Sequence, residues 1–466
     1  MMKMISHSPH HTVHAVRALL LLLVTVLMTS CNDFLDITPT GKVIAKTGEE
    51  YRALLTYEYK YFPSDRGLST LRGDEMTLSG AYTSDLDLDT YLDLWRWNDD
   101  APAVTTAYFN WRTYYHAIYI SNYIIAHQHE IASATQAEVS QLVGESYMMR
   151  AYSHFLLANL YAPPYTHVQP DTTRAIPLLT DTDLNSVLRS SSLKDVYSLI
   201  LSDIDEASKH LNVTTWEQGL NYRFTTVAAQ CLRARVCLYM GDWQGALTAA
   251  QAVIEAHPDL EDLNATDYKI PSRYDSKESI VALEKIMPAA YVAIGRPSES
   301  LMANYRSGDQ RRTAFYRRVT SSVTTLLKGG SEQFNCSFRS AEFYLTAAEA
   351  AMRLGQRETA LTYLSALMEK RYSTRTFASY LAEDQAMTDG DLLAEILRER
   401  YRELAFEGHR WYDLRRTTMP AITKTYQGET YTLDSLDTRY TLRFPTEAVE
   451  ANPEIELMTA TTPAGQ

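Results

Sequence analysis

Cysteine is scarce in this chain of 466 residues: only four are present, at 31, 231, 237 and 336. Cys231 and Cys237 lie six apart in a helical pattern and point to different faces, which disfavours a disulfide between them on geometry. No two cysteines have zinc-site spacing. A chain of this size builds a core without disulfides. Basic residues are outnumbered, 44 Lys and Arg against 57 Asp and Glu, for a formal net charge of −13. That balance argues against nucleic acid, whose affinity comes from Lys and Arg neutralising phosphates, and against a polybasic membrane patch. After residue 30 there is no apolar run long enough to cross a bilayer, which needs roughly 20 residues. HExxH, GxSxG and a Gly-rich phosphate loop are all missing, so no assembled nucleophile, metal centre or cofactor site is expected. Tyrosine, by contrast, is abundant: 32 against 12 Phe. Its apolar ring and polar tip suit half-exposed packing and binding surfaces.

The first 31 residues carry the sharpest local signal. Lys3 and Arg17 are followed by an apolar run from Ala18 to Met28, then Thr29, Ser30 and Cys31. The run has the length of a secretory h-region ending in a small-residue cleavage site. A cysteine just past such a site resembles the bacterial lipobox, with Met28 where Leu is usual. The expectation is a signal peptide over 1–30, cleavage before Cys31, and acylation of Cys31. Several acyl chains hold a protein on a membrane where one would not. Processing removes two positive charges and moves the net charge to −15.

Residues 31–46 read as a tether, with turn chemistry at Thr38-Pro39-Thr40-Gly41. The remainder, 47–466, reads as a single, mainly α domain with loop and short-strand insertions. Thr47 and Glu50 form a capping box for a helix near 49–61. Residues 64–103 read as irregular. A helix at about 105–129 carries Trp111, Tyr115, Ile118, Asn122 and Ile125 on one stripe. Another covers 136–161 and stops at Pro163-Pro164. Ser192 and Asp195 cap a fourth, whose stripe is Val196, Ile200, Ile204, Ala207 and Leu211. Residues 259–335 are mixed. Helices resume at about 339–371 and 390–407, and the tail holds possible strands. Two helix pairs have tetratricopeptide-like positions: Ala234, Gly241, Trp243, Ala246 and Pro258 in one, Ala348, Gly355 and Ala360 in the other. Such pairs are expected within about 105–258 and 339–371. They lie too far apart in sequence for a tandem array.

Further motifs run the length of the chain: Cys31 to Asp36 after the lipobox, Arg72-Gly73-Asp74-Glu75, Arg150-Ala151-Tyr152 with Tyr161, and Tyr239 to Trp243. Arg339 through Ala350, Arg400 through Arg415, and Phe444-Pro445 with Glu447 and Asn452-Pro453 complete the set. Together, in their order and spacing, they resemble the SusD/RagB family of outer-membrane, nutrient-binding lipoproteins. The resemblance implies a SusD-like helical fold and a cell-surface lipoprotein of the outer membrane without catalytic activity. It implies capture of a glycan, or in some members a peptide, and delivery to a TonB-dependent, SusC-like transporter. On the residues alone two rivals stay open: a surface-anchored α-helical glycoside hydrolase, and a helical protein–protein adaptor built on the repeat-like pairs.

Candidate ligand contacts are aromatics and amides in the irregular regions: Tyr82, Trp95, Trp97 and Asn98 before the second helix, Tyr274 and Tyr291 in the middle. A flat ring on a loop can cover a sugar face while Asn bonds a hydroxyl. Asp85, Asp87 and Asp89 would share a face of an extended segment and could meet calcium. However, the EF-hand glycine is replaced by Thr90 and the closing Glu by Arg96, so a solvated loop is the default. His127 and His129 are two apart on a helix, which suits no single metal. Glu407, His409 and Asp413 could be a catalytic cluster. The i,i+3 and i,i+4 spacing of Glu395, Arg398, Glu399, Arg402 and Glu403 favours an ion network instead.

Overall fold

A computed structural model describes residues 45–78, 85–183, 185, 187–320 and 323–455. Cys31, the lipobox and Tyr82 lie outside them. From Thr47 onward the chain is one compact unit. It is mainly α, and its described strands occur only as two-stranded antiparallel pairs.

The helices begin where the side chains can satisfy their first N–H groups. Thr47 and Glu50 form the capping box of α1 (Gly48–Lys60). Residues 85–95, expected to be irregular, form α2 (Asp85–Trp95). Its alternating Asp and Leu imitate a strand period, but the backbone is helical, so the extended segment that a shared acidic face requires does not form. Next come α3 (Arg112–Ala126) and α4 (Gln136–Tyr161), the latter with its own capping box from Thr135 and Glu138. The expected start of α3 near 105 is seven residues early. Ser192 caps α5 (Leu193–His210), and its whole apolar stripe is buried.

The two repeat-like pairs form as expected. They are α6 (Thr226–Met240) with α7 (Trp243–Ala256), and α8 (Ser340–Arg353) with α9 (Arg357–Glu369). Gly241 takes a left-handed φ of 76° between α6 and α7, and Asp242 accepts a hydrogen bond from Gly245 N at 2.9 Å to start the second helix. Ala234, Ala246, Ala348 and Ala360 are all buried where the helices approach. Sequence distance is misleading for these pairs. Residues 259–335 loop out, and the chain returns to lay α8 directly against α7. The pairs are therefore neighbours in space.

A buried ion network ties α10 (Asp389–Leu404) and the turn after it to this stack. Arg339 donates to Glu278 at 2.9 Å, to Glu403 at 2.8 Å and to both oxygens of Glu407 at 2.7 and 2.9 Å. Arg371 reaches Glu403 and Glu278 at 2.9 and 2.6 Å, while Arg311 reaches Glu403 at 3.0 Å and Glu399 at 2.7 Å. Burial alone would raise these carboxyls. The arginines instead hold Glu403 well below the usual range and Glu399 at about 2. Glu407 is bonded to Arg339 and Lys328, His409 to Arg66, and Asp413 to Arg400 and Arg416. Shared arginines link the three, Arg66 bonding the Glu407 carbonyl and His409, and Arg400 bonding Asp413 and His409, so they form part of the ion network, and no side chain of the three is bonded directly to another. Gly408, at φ 67°, permits the turn: a Cβ there would sit 2.4 Å from the Arg66 carbonyl oxygen.

Candidate functional site

Trp95 and Trp97 are both buried. The segment is not extended: Trp95 ends α2, and Trp97 follows with a left-handed φ of 57°, which turns both rings inward. Their indole N–H groups donate to Met76 O at 3.0 Å and Arg72 O at 2.9 Å. Between the rings lies the buried Lys424 ammonium, 5.0 Å from the Trp95 ring and 4.1 Å from that of Trp97, donating to the carbonyls of Leu71 and Trp95. The two tryptophans form a structural cage and offer no ring face to a ligand. Tyr291 is buried as well, edge-on to Tyr91 at 5.0 Å. Tyr274 is half-buried in a cleft of about 460 Å³ that also holds Trp216 and Tyr268.

Asn98 lines a different and much larger cleft, of about 1370 Å³. One wall is the C-terminal end of α1 and the start of α3, a second is the loop 98–110, and a third is the segment 442–450. Its floor is aromatic and buried: Trp111 stands edge-on to Tyr161 at 5.1 Å and to Phe444 at 5.3 Å. Its walls carry Tyr57, Tyr61 and Tyr108, which are 55, 51 and 79 % exposed. Among the described residues these are the aromatic side chains most open to solvent, and all three line this one cleft. Exposed rings scattered singly need no explanation; three on one concavity do.

Local physics places them. On α1 the buried side chains are Tyr51, Leu55, Glu58 and Tyr59. Tyr57 and Tyr61, four apart, fall on the opposite side with ring centroids 4.5 Å apart. That leftover pair is the signal a stripe count on α1 contains. Tyr108 has no such signature, because it sits in the loop before α3, where the apolar spacing alone predicts helix.

The loop is held by buried charges. Asp93 accepts from Asn98 Nδ2 at 2.9 Å, Ala103 N at 2.7 Å, Thr106 Oγ1 at 2.9 Å and the Arg96 guanidinium at 2.6 Å. Burial acts to raise its carboxyl, but these donors outweigh it and hold the group at about 2. Arg72, from the early Arg72 to Glu75 motif, grips Asp99 with both terminal nitrogens at 2.7 Å. Asp65 accepts from Asn110 N and Nδ2 at 2.7 and 2.9 Å. Across the rim Arg443 meets Asp100 at 2.7 Å. Asp93→Ala is expected to free residues 96–106 and weaken ligand binding at least tenfold, with a smaller effect on melting than any Arg339 variant. Hydrogen exchange over 96–106, beside a ligand titration, checks this.

The carboxylates Asp99, Asp100 and Glu58 are each committed to a base, Glu58 to His116 at 3.0 Å. Beside the exposed carboxylates of Glu447 and Glu450, the cleft offers flat apolar faces over an aromatic floor, with amide and hydroxyl groups of Asn98, Thr106, Asn110 and Thr113 between them. Among the described residues no group of His, Cys, Asp and Glu is arranged to hold a metal ion, and no helix is long and apolar enough to cross a membrane.

Two family profiles match the chain. One described as the SusD family covers residues 299–454, and one described as starch-binding, associating with the outer membrane, covers 52–238. The cleft draws walls from both segments. The SusD-like protein P38 of Formosa agariphila is 23 % identical over 85 % of this chain and 90 % of its own length. A SusD superfamily structure from Bacteroides thetaiotaomicron, 22 % identical, superposes with a TM-score of 0.72 over 88 % of this chain and 99 % of that one. A laminarin-binding SusD-like protein, 17 % identical, has a TM-score of 0.63 over 88 % of this chain and 99 % of its own. The matched profiles, the full-length relative and the shared fold lead to one conclusion: the chain belongs to the SusD family, which is associated with the outer membrane.

Proposed function

We propose that this protein captures a glycan in the cleft between α1, the loop 98–110 and the segment 442–450, and hands it to a TonB-dependent, SusC-like transporter in the outer membrane. The observation that carries the reading is the gathering of Tyr57, Tyr61 and Tyr108 on one concavity. Each ring that covers roughly 60–80 Å² of apolar sugar surface contributes about 1.5–2 kcal/mol. Two or three rings together contribute about 3–6 kcal/mol, which keeps binding weak, in the high-micromolar-to-millimolar range, from which ligand can be released. A relative of the same fold that binds laminarin supports a carbohydrate as the ligand.

The anchor and the partner complete the proposal. Cleavage before Cys31 and acylation there would tether the protein to the membrane that holds the transporter, raising their effective concentration. The helical surface within 136–258 is the docking side, and the loops the ligand side. Mass spectrometry of the mature N-terminus should find an acylated Cys31, and extraction in mild detergent should retain a large β-barrel partner. An unmodified residue 31 contradicts the anchor. A protein that purifies alone contradicts the transporter reading.

A further inference from the structure

The charges around the same cleft narrow the ligand class. Five carboxylates line it, Glu58, Asp99, Asp100, Glu447 and Glu450, against two guanidinium groups, Arg112 and Arg443. Arg443 is engaged by Asp100 at 2.7 Å. Arg72 stands behind Asp99 but is fully buried, its terminal nitrogens spent on Asp99 and the Arg439 carbonyl. It has no fork left for a ligand carboxylate or sulfate. Glu447 and Glu450 are exposed, three apart on the short helix Thr446–Ala451, and neither has a basic partner among the described residues. Among the described residues that leaves Arg112 as the one guanidinium lining the cleft outside an ion pair. The protein also has an arginine-rich cleft of about 510 Å³, lined by Arg353, Arg400, Arg410 and Arg416. Its guanidinium groups are paired with Glu349, Asp413 and Asp74, so it supplies no competing anion site.

We infer that the cleft takes uncharged glycans and rejects uronic-acid and sulfated ones, an inference that rests on the capture reading above. Stacking on Tyr57, Tyr61 and Tyr108 is indifferent to which neutral sugar is stacked. An anionic polymer, however, brings a charge with each repeat within about one Debye length, roughly 8 Å at physiological salt, of Glu447 and Glu450. Repulsion of this kind discriminates between ligands without any new attractive contact. The net charge of the whole chain, −13, adds to it at long range.

The test titrates the purified protein with neutral laminarin, maltoheptaose and xyloglucan, and with polygalacturonate, alginate and chondroitin sulfate, at low and at physiological ionic strength. The expected result is binding within the neutral set, lost in the Tyr57→Ala/Tyr61→Ala/Tyr108→Ala variant. Anionic polymers are expected to bind at least tenfold more weakly, with the gap widest at low salt. Glu447→Gln/Glu450→Gln should raise the affinity for the anionic polymers several-fold at low salt. An anionic polymer that binds best, through the three tyrosines, overturns this inference and leaves glycan capture standing. Neutral binding untouched by the tyrosine variant, or no binding in either set, overturns the capture reading for this cleft and the inference with it.

Discussion

Arg339→Met is expected to cost roughly 3–5 kcal/mol of stability, far more than any substitution on the rim of the cleft. Methionine matches much of the volume but none of the bonding. Arg339 is buried and donates to Glu278, Glu403 and Glu407, with a further bond to the Glu403 carbonyl at 3.0 Å. Removing it leaves three buried carboxylates short of their partner, and uncompensated buried charge is what makes breaking such a pair expensive. Arg371 still reaches Glu278 and Glu403, and Lys328 still reaches Glu407, so the loss is partial for all three. Arg339→Lys should recover little, because one ammonium cannot span donors aimed at three carboxylates. Thermal or urea unfolding of both variants checks this. A methionine variant that melts with the natural protein would show the network to be dispensable.

Removing Tyr57, Tyr61 and Tyr108 together has the opposite signature: a large loss of binding with little loss of stability. At about 1.5–2 kcal/mol per ring, each substitution by alanine weakens binding about ten- to thirtyfold, taking about 1.4 kcal/mol per factor of ten. Three together take a micromolar binder beyond detection. The rings are half or more exposed, so each change alters stability by only about 0.5 kcal/mol. Calorimetry with a neutral glucan, paired with melting curves, separates the two effects. Trp95→Ala and Trp97→Ala are the contrast: both rings are buried around Lys424, and their loss should lower stability first.

How far the sequence reveals this molecule depends on the range of the interaction. The capping box at Thr47, the Ser192 cap and the α5 stripe are local, and the structure has them where the spacing places them. The pairs within α10, Glu395 with Arg398 and Glu399 with Arg402, are local too. The deeper partners of Glu399 and Glu403, namely Arg311, Arg339 and Arg371, come from distant segments, which spacing cannot bring together. The helical state of α2 is masked because alternating Asp and Leu mimic a strand. The burial of Trp97 turns on one left-handed residue that no side-chain pattern announces. Of the candidate ligand contacts, Asn98 lines the large cleft and Tyr274 a separate one. Tyr57 and Tyr61 are hard to single out because they sit on a helix, where an aromatic reads as packing; only the placement of the α1 stripe against the core leaves them facing outward.

The most direct measurement is a crystal structure of the protein with a bound neutral β-glucan oligosaccharide. Sugar rings should lie against Tyr57, Tyr61 and Tyr108, over the Trp111 and Phe444 floor, with hydroxyl groups near Asn98 and Asn110. A sugar seated beside Trp216 and Tyr274 instead, with the large cleft empty, would refute the assignment of the ligand to the three-tyrosine cleft.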